Sequence, residues 1–493
     1  MSDNSMASKL LRSSFWQYLG SWIDKLIGFV STLILARILL PDDFGVVAAA
    51  SIITGFFHVI ASVGTDLYLI RKNKVTRTDL NTGWTINVIM KFLSAISIFL
   101  LAGTIADFMG DDRLVQVLQI ISLSSFLSGF NNIGMVLYEK EYKYRPRFIV
   151  RLSSRIIGFL IKVALALYLN NYWAFIIAEL VEVSIFLIGT FIAHSFRPHF
   201  SLVNWKEQWF FSQWILLKSI FVFLRFRVDD ILLSRFLLLD TLGVYTVSKE
   251  LASLPAGQII APVMEPLYVG LSDIHDNKLL FADRVHKALS LLFIIVLPVS
   301  LGIHVTADNL VYTFLGEKWQ HAVPIVMIIA FTLIPGMLGN FFTRVMTAMG
   351  CVKLVFQFEF FLGILSISMF FVLAEYMTVL DFARLNVAVT SLNTFIVVIV
   401  FTQLSSISFL RICILVVFPL ISAVSMLYAV LMLNPFISIF SNLIQLIIQV
   451  SVGVLLYFYL MTSFIYLLRN KLDEYQFIWK TFYLSIISAS NNR

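Results

Sequence analysis

Fourteen apolar stretches separated by short polar breaks occupy almost the whole chain, and each is long enough to cross a bilayer. They fall at about 15–38, 44–70, 82–107, 113–138, 147–169 and 172–194. A second set lies at 213–239, 243–270, 284–306, 322–349, 353–374 and 384–403, and two more lie at 411–433 and 439–468. The pattern predicts an all-α, polytopic membrane protein with about 14 transmembrane helices. Composition agrees, with 59% hydrophobic and 13% charged residues against roughly 45–50% and 25% in soluble domains. No room is left for a soluble catalytic domain. The breaks are short, so sequential helices should be antiparallel neighbours. Lys9 and Arg12 precede the first run and no small-residue cleavage site follows it at signal-peptide distance, so the first span is expected to be retained.

Charge tests the map, because Lys and Arg concentrate in cytoplasmic loops. With the N-terminus inside, the inner segments carry twenty-three of the 36 Lys and Arg. The outer loops carry five, at Arg37, Arg113, Arg235, Lys318 and Arg384. Acids take their place there, including Asp42, Asp43, Asp111 and Asp112. Both termini are therefore expected in the cytoplasm.

The chain also repeats itself. LARILLPDDFGVV (Leu35 to Val47) aligns without a gap on LSRFLLLDTLGVY (Leu233 to Tyr245), with seven of thirteen positions identical. Arg37 matches Arg235, Asp42 matches Asp240 and Gly45 matches Gly243, each where an odd-numbered span leaves the outer face. A weaker echo pairs FMGDD at Phe108 with FLGEK at Phe314. Six spans per half is an even number, so the halves are expected to be parallel repeats about an axis along the membrane normal, as in some transporters. The expected organisation is a six-helix bundle at 1–194, a cytoplasmic linker at 195–212 and a second bundle at 213–403. Two further spans at 404–468 and a cytoplasmic tail at 469–493 complete it.

LARILLPDDFG after span 1, VDDILLSRF with LGVYTVSKELASLP across spans 7 and 8, and FLGEKWQHAVPI before span 10 carry a resemblance over spans 1 to 12. Together they resemble the polysaccharide transporter family, the Wzx-type flippases of the multidrug/oligosaccharidyl-lipid/polysaccharide exporter superfamily. The nearest branch serves lipopolysaccharide or exopolysaccharide biosynthesis and includes colanic-acid exporters. The resemblance implies two bundles forming a V that opens alternately to either face of the bacterial inner membrane. Its cargo would be an undecaprenyl-diphosphate-linked oligosaccharide, moved from the cytoplasmic to the outer leaflet. Membrane lipids, a glycan polymerase and a chain-length regulator would be its partners, and no cofactor is implied. Arg227 and Asp230 beside Asp229 depart from the charge pattern usual in such relatives.

An ionisable group at bilayer depth is costly unless it is paired or faces water, so each is a candidate for function. Span 5 carries a basic stripe of Arg147, Arg151, Arg155 and Lys162, spaced so that all four share one helix face. At 1.5 Å per residue it runs roughly 22 Å inward from the cytoplasmic surface. Arg147 and Arg151 can snorkel to headgroups, whereas Lys162 is too deep. A ladder of cations suits a diphosphate, which Arg grips bidentately. The candidate cavity and diphosphate ligands are Arg151, Arg155, Lys162, Arg225, Arg227 and Lys91. The candidate coupling or gating charges are Asp24, Lys25, His58, Glu179, Glu182, Asp229, Asp230, Lys249 and Glu250. Equal distances from a hairpin turn place Lys162 level with Glu179, Arg344 level with Glu359, and Asp24 level with His58. Such pairs either glue helices together or line a cargo path, and spacing alone leaves both open. Trp84, Asn87, Asn131 and Asn132 are candidate sugar contacts.

Other chemistries lack their residues. The chain has no G-x-x-x-x-G-K-S/T loop for a nucleotide and no His/Cys cluster with metal spacing. The basic excess of a membrane protein does not imply nucleic acid, and Cys351 and Cys413 give no disulfide framework. Two rivals to a flippase remain. A multidrug antiporter for organic cations would need a carboxylate-rich cavity, and a glycan polymerase or ligase would need a large outer loop bearing acids and bases.

Overall fold

The computed structural model describes residues 3–62, 64–256, 278–405 and 407–481, and among them it contains helices and no strand. The chain divides into two compact units, one of Met1–Thr246 with Met369–Glu375, the other of Val247–Ser368 with Tyr376–Arg493. The C-terminal part of the expected span 243–270, and residues 482–493 of the expected tail, lie outside the described residues.

In the first unit the helices are α1 (Asp3–Ile38), α2 (Pro41–Ala61), α3 (Thr65–Arg71), α4 (Arg77–Met109) and α5 (Arg113–Gly129). They continue with α6 (Met135–Lys140), α7 (Arg145–Leu169), α8 (Trp173–Ala193), α9 (Trp205–Phe236) and the first half of α10 (Leu239–Pro255). Two expected spans are interrupted. The stretch 44–70 breaks at Ser62–Gly64, where Gly64 takes φ +71°, a backbone conformation that costs glycine little. The stretch 113–138 breaks at Phe130–Gly134, and Asn132 closes that break. Its side chain donates to the carbonyls of His194 and Phe196, accepts from the Gly134 amide, and its own amide donates to Thr190 Oγ1.

Eleven helices among the described residues are long and apolar enough to cross a membrane. The three expected spans outside that set have physical reasons for it. α5 is cut short by the break at Phe130, α9 carries eight charged residues, and 243–270 runs beyond the described residues. A count of fourteen is therefore an expectation from the sequence.

The PDDFG segment ties the α1–α2 corner to its neighbours. Pro41 opens α2, as suits a residue without an N–H, and Asp43 accepts the Leu40 amide at 3.0 Å and the Tyr172 amide at 2.9 Å. Asp42 receives both terminal nitrogens of Arg113, at 2.5 and 2.8 Å, while Arg113 also grips Asp111. At this corner α2 and α10 approach backbone to backbone through Gly45, Leu239 and Gly243, where a side-chain carbon on either glycine would overlap main-chain atoms. At the opposite end of α4, Asp79 forms a capping box with Thr76 and also accepts from Lys72 Nζ at 2.9 Å and Asn204 Nδ2 at 2.8 Å. Gln208 donates to the Asp79 carbonyl, so the start of α9 is held on α3 and α4. Beside Asp79, Lys72 is held above the usual lysine range by these hydrogen bonds.

The second unit is built on the long helix Lys278–Phe314, against which Phe409–Ile437 and Asn442–Leu468 pack. Pro298 lies inside the long helix and lacks an N–H, so the Ile294 carbonyl four residues earlier loses its helical partner. The Tyr457 hydroxyl donates to that carbonyl at 2.7 Å. Asn309 donates to Gln449, which donates to Asn434. Hydrogen bonds of this kind hold apolar helices together where water offers no alternative partner. Beyond the last span, Glu474 accepts two bonds from Arg411, at 3.1 and 2.8 Å. Arg344 and Glu359, level by sequence counting, form no ion pair with one another among the described residues.

Candidate functional site

The stripe on α7 meets a second ladder, of carboxylates. Arg147 pairs with Glu139 on α6, Arg151 Nε lies 2.6 Å from Asp24 Oδ2 on α1, and Arg155 Nη1 lies 3.0 Å from Glu182 Oε1 on α8. Lys162 sits over the Phe175 ring at 5.4 Å and within electrostatic reach of Glu179. In each of the three arginine pairs the carboxylate is more buried than the cation; the Arg155 side chain is 38% exposed and that of Glu182 22%. The cations therefore keep accessible N–H groups after pairing, which a second anion can use. Asp24, expected level with His58, has Arg151 as its partner.

Two polar cavities, each of about 480 Å³, share Arg147 as a wall. The first lies at the start of α7, among Trp16, Asp24, Lys25, Glu139, Arg147 and Arg151. The second reaches deeper and is lined by His58, Asp66, Asn87, Lys91, Asn131 and Arg147, with Thr65 and Ser128 between them. Lys91 is only 8% exposed, and its Nζ lies 2.7 Å from His58 Nδ1. Thr65 donates to the Asn87 side-chain oxygen at 2.8 Å. This cavity exists because α2 and α5 both break beside it. The first break puts the exposed Asp66, at the start of α3, on the cavity wall, and the second puts Asn131 there.

The α9 charges are differently placed. Asp229 and Asp230 are 2% and 1% exposed. Asp229 accepts the hydroxyl of the buried Tyr245 at 2.9 Å, and Asp230 pairs with Arg227 at 2.9 Å along the helix. Arg225 lies over its neighbour Phe226. These carboxylates are buried in helix packing, and none of the four lines the cavity around Lys91. Lys249 and Glu250 lie on the part of α10 that belongs to the second unit. Trp84, a candidate sugar contact, is 6% exposed and donates to the Phe130 carbonyl at 3.4 Å, and Asn132 is spent on the α5–α6 break. Asn87, Asn131 and Asn132 all line the cavity wall, Asn132 with its polar atoms already bonded.

Sequence reasoning missed Asp66, Glu139 and Tyr245. Asp66 was hidden by reading 44–70 as one straight span, in which it sits at an unremarked end. The GTD sequence at Gly64–Asp66, a turn glycine and a helix-starting threonine within an apolar run, was the available signal.

The polysaccharide biosynthesis protein family matches over residues 34–324, beginning beside LARILLPDDFG and ending inside FLGEKWQHAVPI. The lipopolysaccharide biosynthesis protein WzxC of Escherichia coli is 24% identical over 361 residues, covering 72% of this chain and 73% of that one. The succinoglycan biosynthesis transport protein ExoT of Rhizobium meliloti is 24% identical, over 67% of each chain. Among solved structures, the lipid II flippase MurJ in its inward closed conformation shares the fold at a TM-score of 0.75 and 12% identity. That likeness covers 91% of this chain and 98% of the other. An inward-facing multidrug resistance MATE family transporter of the MOP superfamily gives a TM-score of 0.62 at 13% identity, over 80% and 95%. With the family matched across more than half its length, the helical membrane chain belongs to the polysaccharide biosynthesis protein family.

Proposed function

We propose that this protein is a flippase that moves an undecaprenyl-diphosphate-linked oligosaccharide from the cytoplasmic to the outer leaflet by alternating access, in lipopolysaccharide or exopolysaccharide biosynthesis. The observation that carries the reading is the deep cavity of the first unit, which combines two cations, Lys91 and Arg147, with the amides Asn87 and Asn131. Cations suit the diphosphate and neutral amides suit sugar hydroxyls. Arg147, at the start of α7, lines it, and the half-exposed Arg151 and Arg155 continue along the same helix. Relatives named for polysaccharide transport and a flippase of the same fold support the same cargo class. An organic-cation antiporter would reverse this balance, and here one carboxylate, Asp66, faces two cations.

The rest of the reading follows the charge map. The protein is a secondary transporter of the bacterial inner membrane with both termini in the cytoplasm, working beside a glycan polymerase and a chain-length regulator. It is organised as two parallel six-helix repeats, at 1–194 and 213–403, joined by the linker 195–212 and followed by two added spans at 404–468. Reconstituted vesicles test the function directly. Vesicles holding the protein should expose a fluorescent undecaprenyl-diphosphate oligosaccharide from the inner leaflet to an external glycosidase faster than empty vesicles do. Equal rates with and without protein, or export of ethidium in place of the glycolipid, would overturn the reading.

A further inference from the structure

The deep cavity brings two basic side chains into direct contact, with Lys91 Nζ 2.7 Å from His58 Nδ1. Two N–H groups do not face each other at that distance, so a single hydrogen lies between the nitrogens. An ammonium offers only donors, so with Lys91 charged Nδ1 is the acceptor and the imidazole is neutral. The charged groups that share the cavity from other elements are Asp66 on α3 and Arg147 on α7. α5, α8 and α9 present only neutral side chains there, Ser128, Thr190 and Ile215 among them. A lysine sunk this deep is ordinarily met by a carboxylate or a carbonyl. Here it is met by the one side chain whose charge ordinarily changes near neutral pH.

We propose that His58 takes up a proton when the diphosphate of the cargo enters this cavity, an inference that rests on the reading of the cavity as a diphosphate site. The Lys91 ammonium turns from the imidazole to a phosphate oxygen and vacates the Nδ1 lone pair. A proton from bulk water then binds that lone pair and returns to water when the cargo leaves; no other bond changes. The reason is charge balance. A diphosphate joined to lipid on one side and sugar on the other carries two negative charges, and Lys91 supplies one positive charge. Arg147 is shared with Glu139 and Asp66 adds a carboxyl group to the same cavity, so Arg147 offers the cargo a contact but no net positive charge. A second cation at His58 brings the loaded site closer to neutrality in a medium where an uncompensated charge is expensive.

Isothermal titration of the full-length protein in detergent tests this, with geranyl-diphosphate-linked N-acetylglucosamine as the probe. Each phosphate of that probe carries one ester and one anhydride link and keeps a single strongly acidic oxygen, so the probe exchanges no proton of its own near neutral pH. Titrations at pH 7 in two buffers of different ionisation enthalpy should give a net uptake of roughly one proton per diphosphate bound. In His58→Gln the side-chain oxygen still accepts from Lys91 but does not titrate, so binding should weaken and the uptake should fall close to zero. Wild-type binding without uptake overturns this proposal and leaves the cavity reading standing, whereas no binding at all overturns both. Uptake that persists in His58→Gln assigns the proton to another group and also overturns it. Should that variant fail to fold, the wild-type buffer dependence decides alone.

Discussion

Gly45 and Gly243, the two glycines matched by the internal repeat, pack against each other, so that a side-chain carbon at Gly243 would lie 2.6 Å from the Gly45 amide nitrogen. Equivalent points of a two-fold arrangement lie on opposite sides of the axis at equal distances, so equivalents that touch must lie beside it. Under the proposed repeat, the axis would therefore pass between α2 and α10. α9 and the start of α10, which would open the proposed second repeat, belong to the first unit.

Gly243→Ala should therefore destabilise the protein. The atoms that a new methyl group would meet are main-chain atoms of Pro41 and Gly45, which have no side-chain freedom with which to yield. Overpacking of this kind costs about 1–3 kcal/mol. The thermal midpoint of the detergent-purified variant should drop clearly below wild type. Gly103→Ala is the control, because nothing lies within 4 Å of its added carbon. Equal midpoints for the two variants would remove the close approach as a structural constraint.

Orientation is open to labelling. With Cys351 and Cys413 replaced, single cysteines at Asp112 and Glu317 should react with a membrane-impermeant thiol reagent in intact cells. A cysteine at Lys74 should react only after permeabilisation. Asp112 is preferred to Asp111, whose carboxylate is bound to Arg113 and held below its ordinary range, the hydrogen bonds from that arginine outweighing the opposing effect of burial. Labelling of Lys74→Cys from outside would invert the proposed topology.

Acid should weaken the packing at the end of α8. Burial first, and then the positive charge of Arg197, hold His194 below its ordinary value of 6.5. Its Nδ1 also accepts the Phe196 amide at 3.0 Å, a bond that protonation there would break. The folded state thus binds the proton less tightly than the unfolded chain does. This contribution is intact above about pH 6.5, is lost as the pH falls toward the folded-state value, and levels off below it. Thermal midpoints measured from pH 7.5 to 5 should fall more steeply for wild type than for His194→Gln. Parallel curves would show that His194 does not carry the effect.

Helix placement was largely legible in the sequence because hydropathy and loop charge both report it. Most expected windows fall on helices of the described residues, and the exceptions are the two broken ones, 44–70 and 113–138, and 243–270, which runs beyond those residues. The breaks at Gly64 and Asn132 were not legible, because the sequence stays mostly apolar through them and hydropathy is blind to backbone direction. The same limit shaped the site. Spacing of four residues put Arg147, Arg151 and Arg155 on one face of α7. Their partners Glu139, Asp24 and Glu182 lie on three other helices, and counting from a turn gives depth without direction around the helix. His58 was recognised as a buried ionisable group, and only the packing of α2 on α4 shows that it faces Lys91.

The cargo-path reading of α7 stands or falls on the Arg155–Glu182 pair. If Arg155 serves the diphosphate, its removal costs a charge-assisted contact worth about 1.5–3 kcal/mol. At about 1.4 kcal/mol per decade, Arg155→Ala should slow flipping roughly ten-fold or more where that contact strengthens in the rate-limiting state. Glu182→Ala should match or exceed wild-type rate, because it frees the guanidinium for cargo. The double variant should then be as slow as Arg155→Ala. A pair that only joins α7 to α8 predicts the opposite pattern. Each single loss would leave an unanswered charge in the membrane and impair the protein, and the double loss would restore it. Initial rates in the vesicle assay, normalised to monodisperse protein inserted, separate the two. Recovery in the double variant would make the stripe helix glue, and the same cycle on Lys162 and Glu179 would show how far inward that structural role extends.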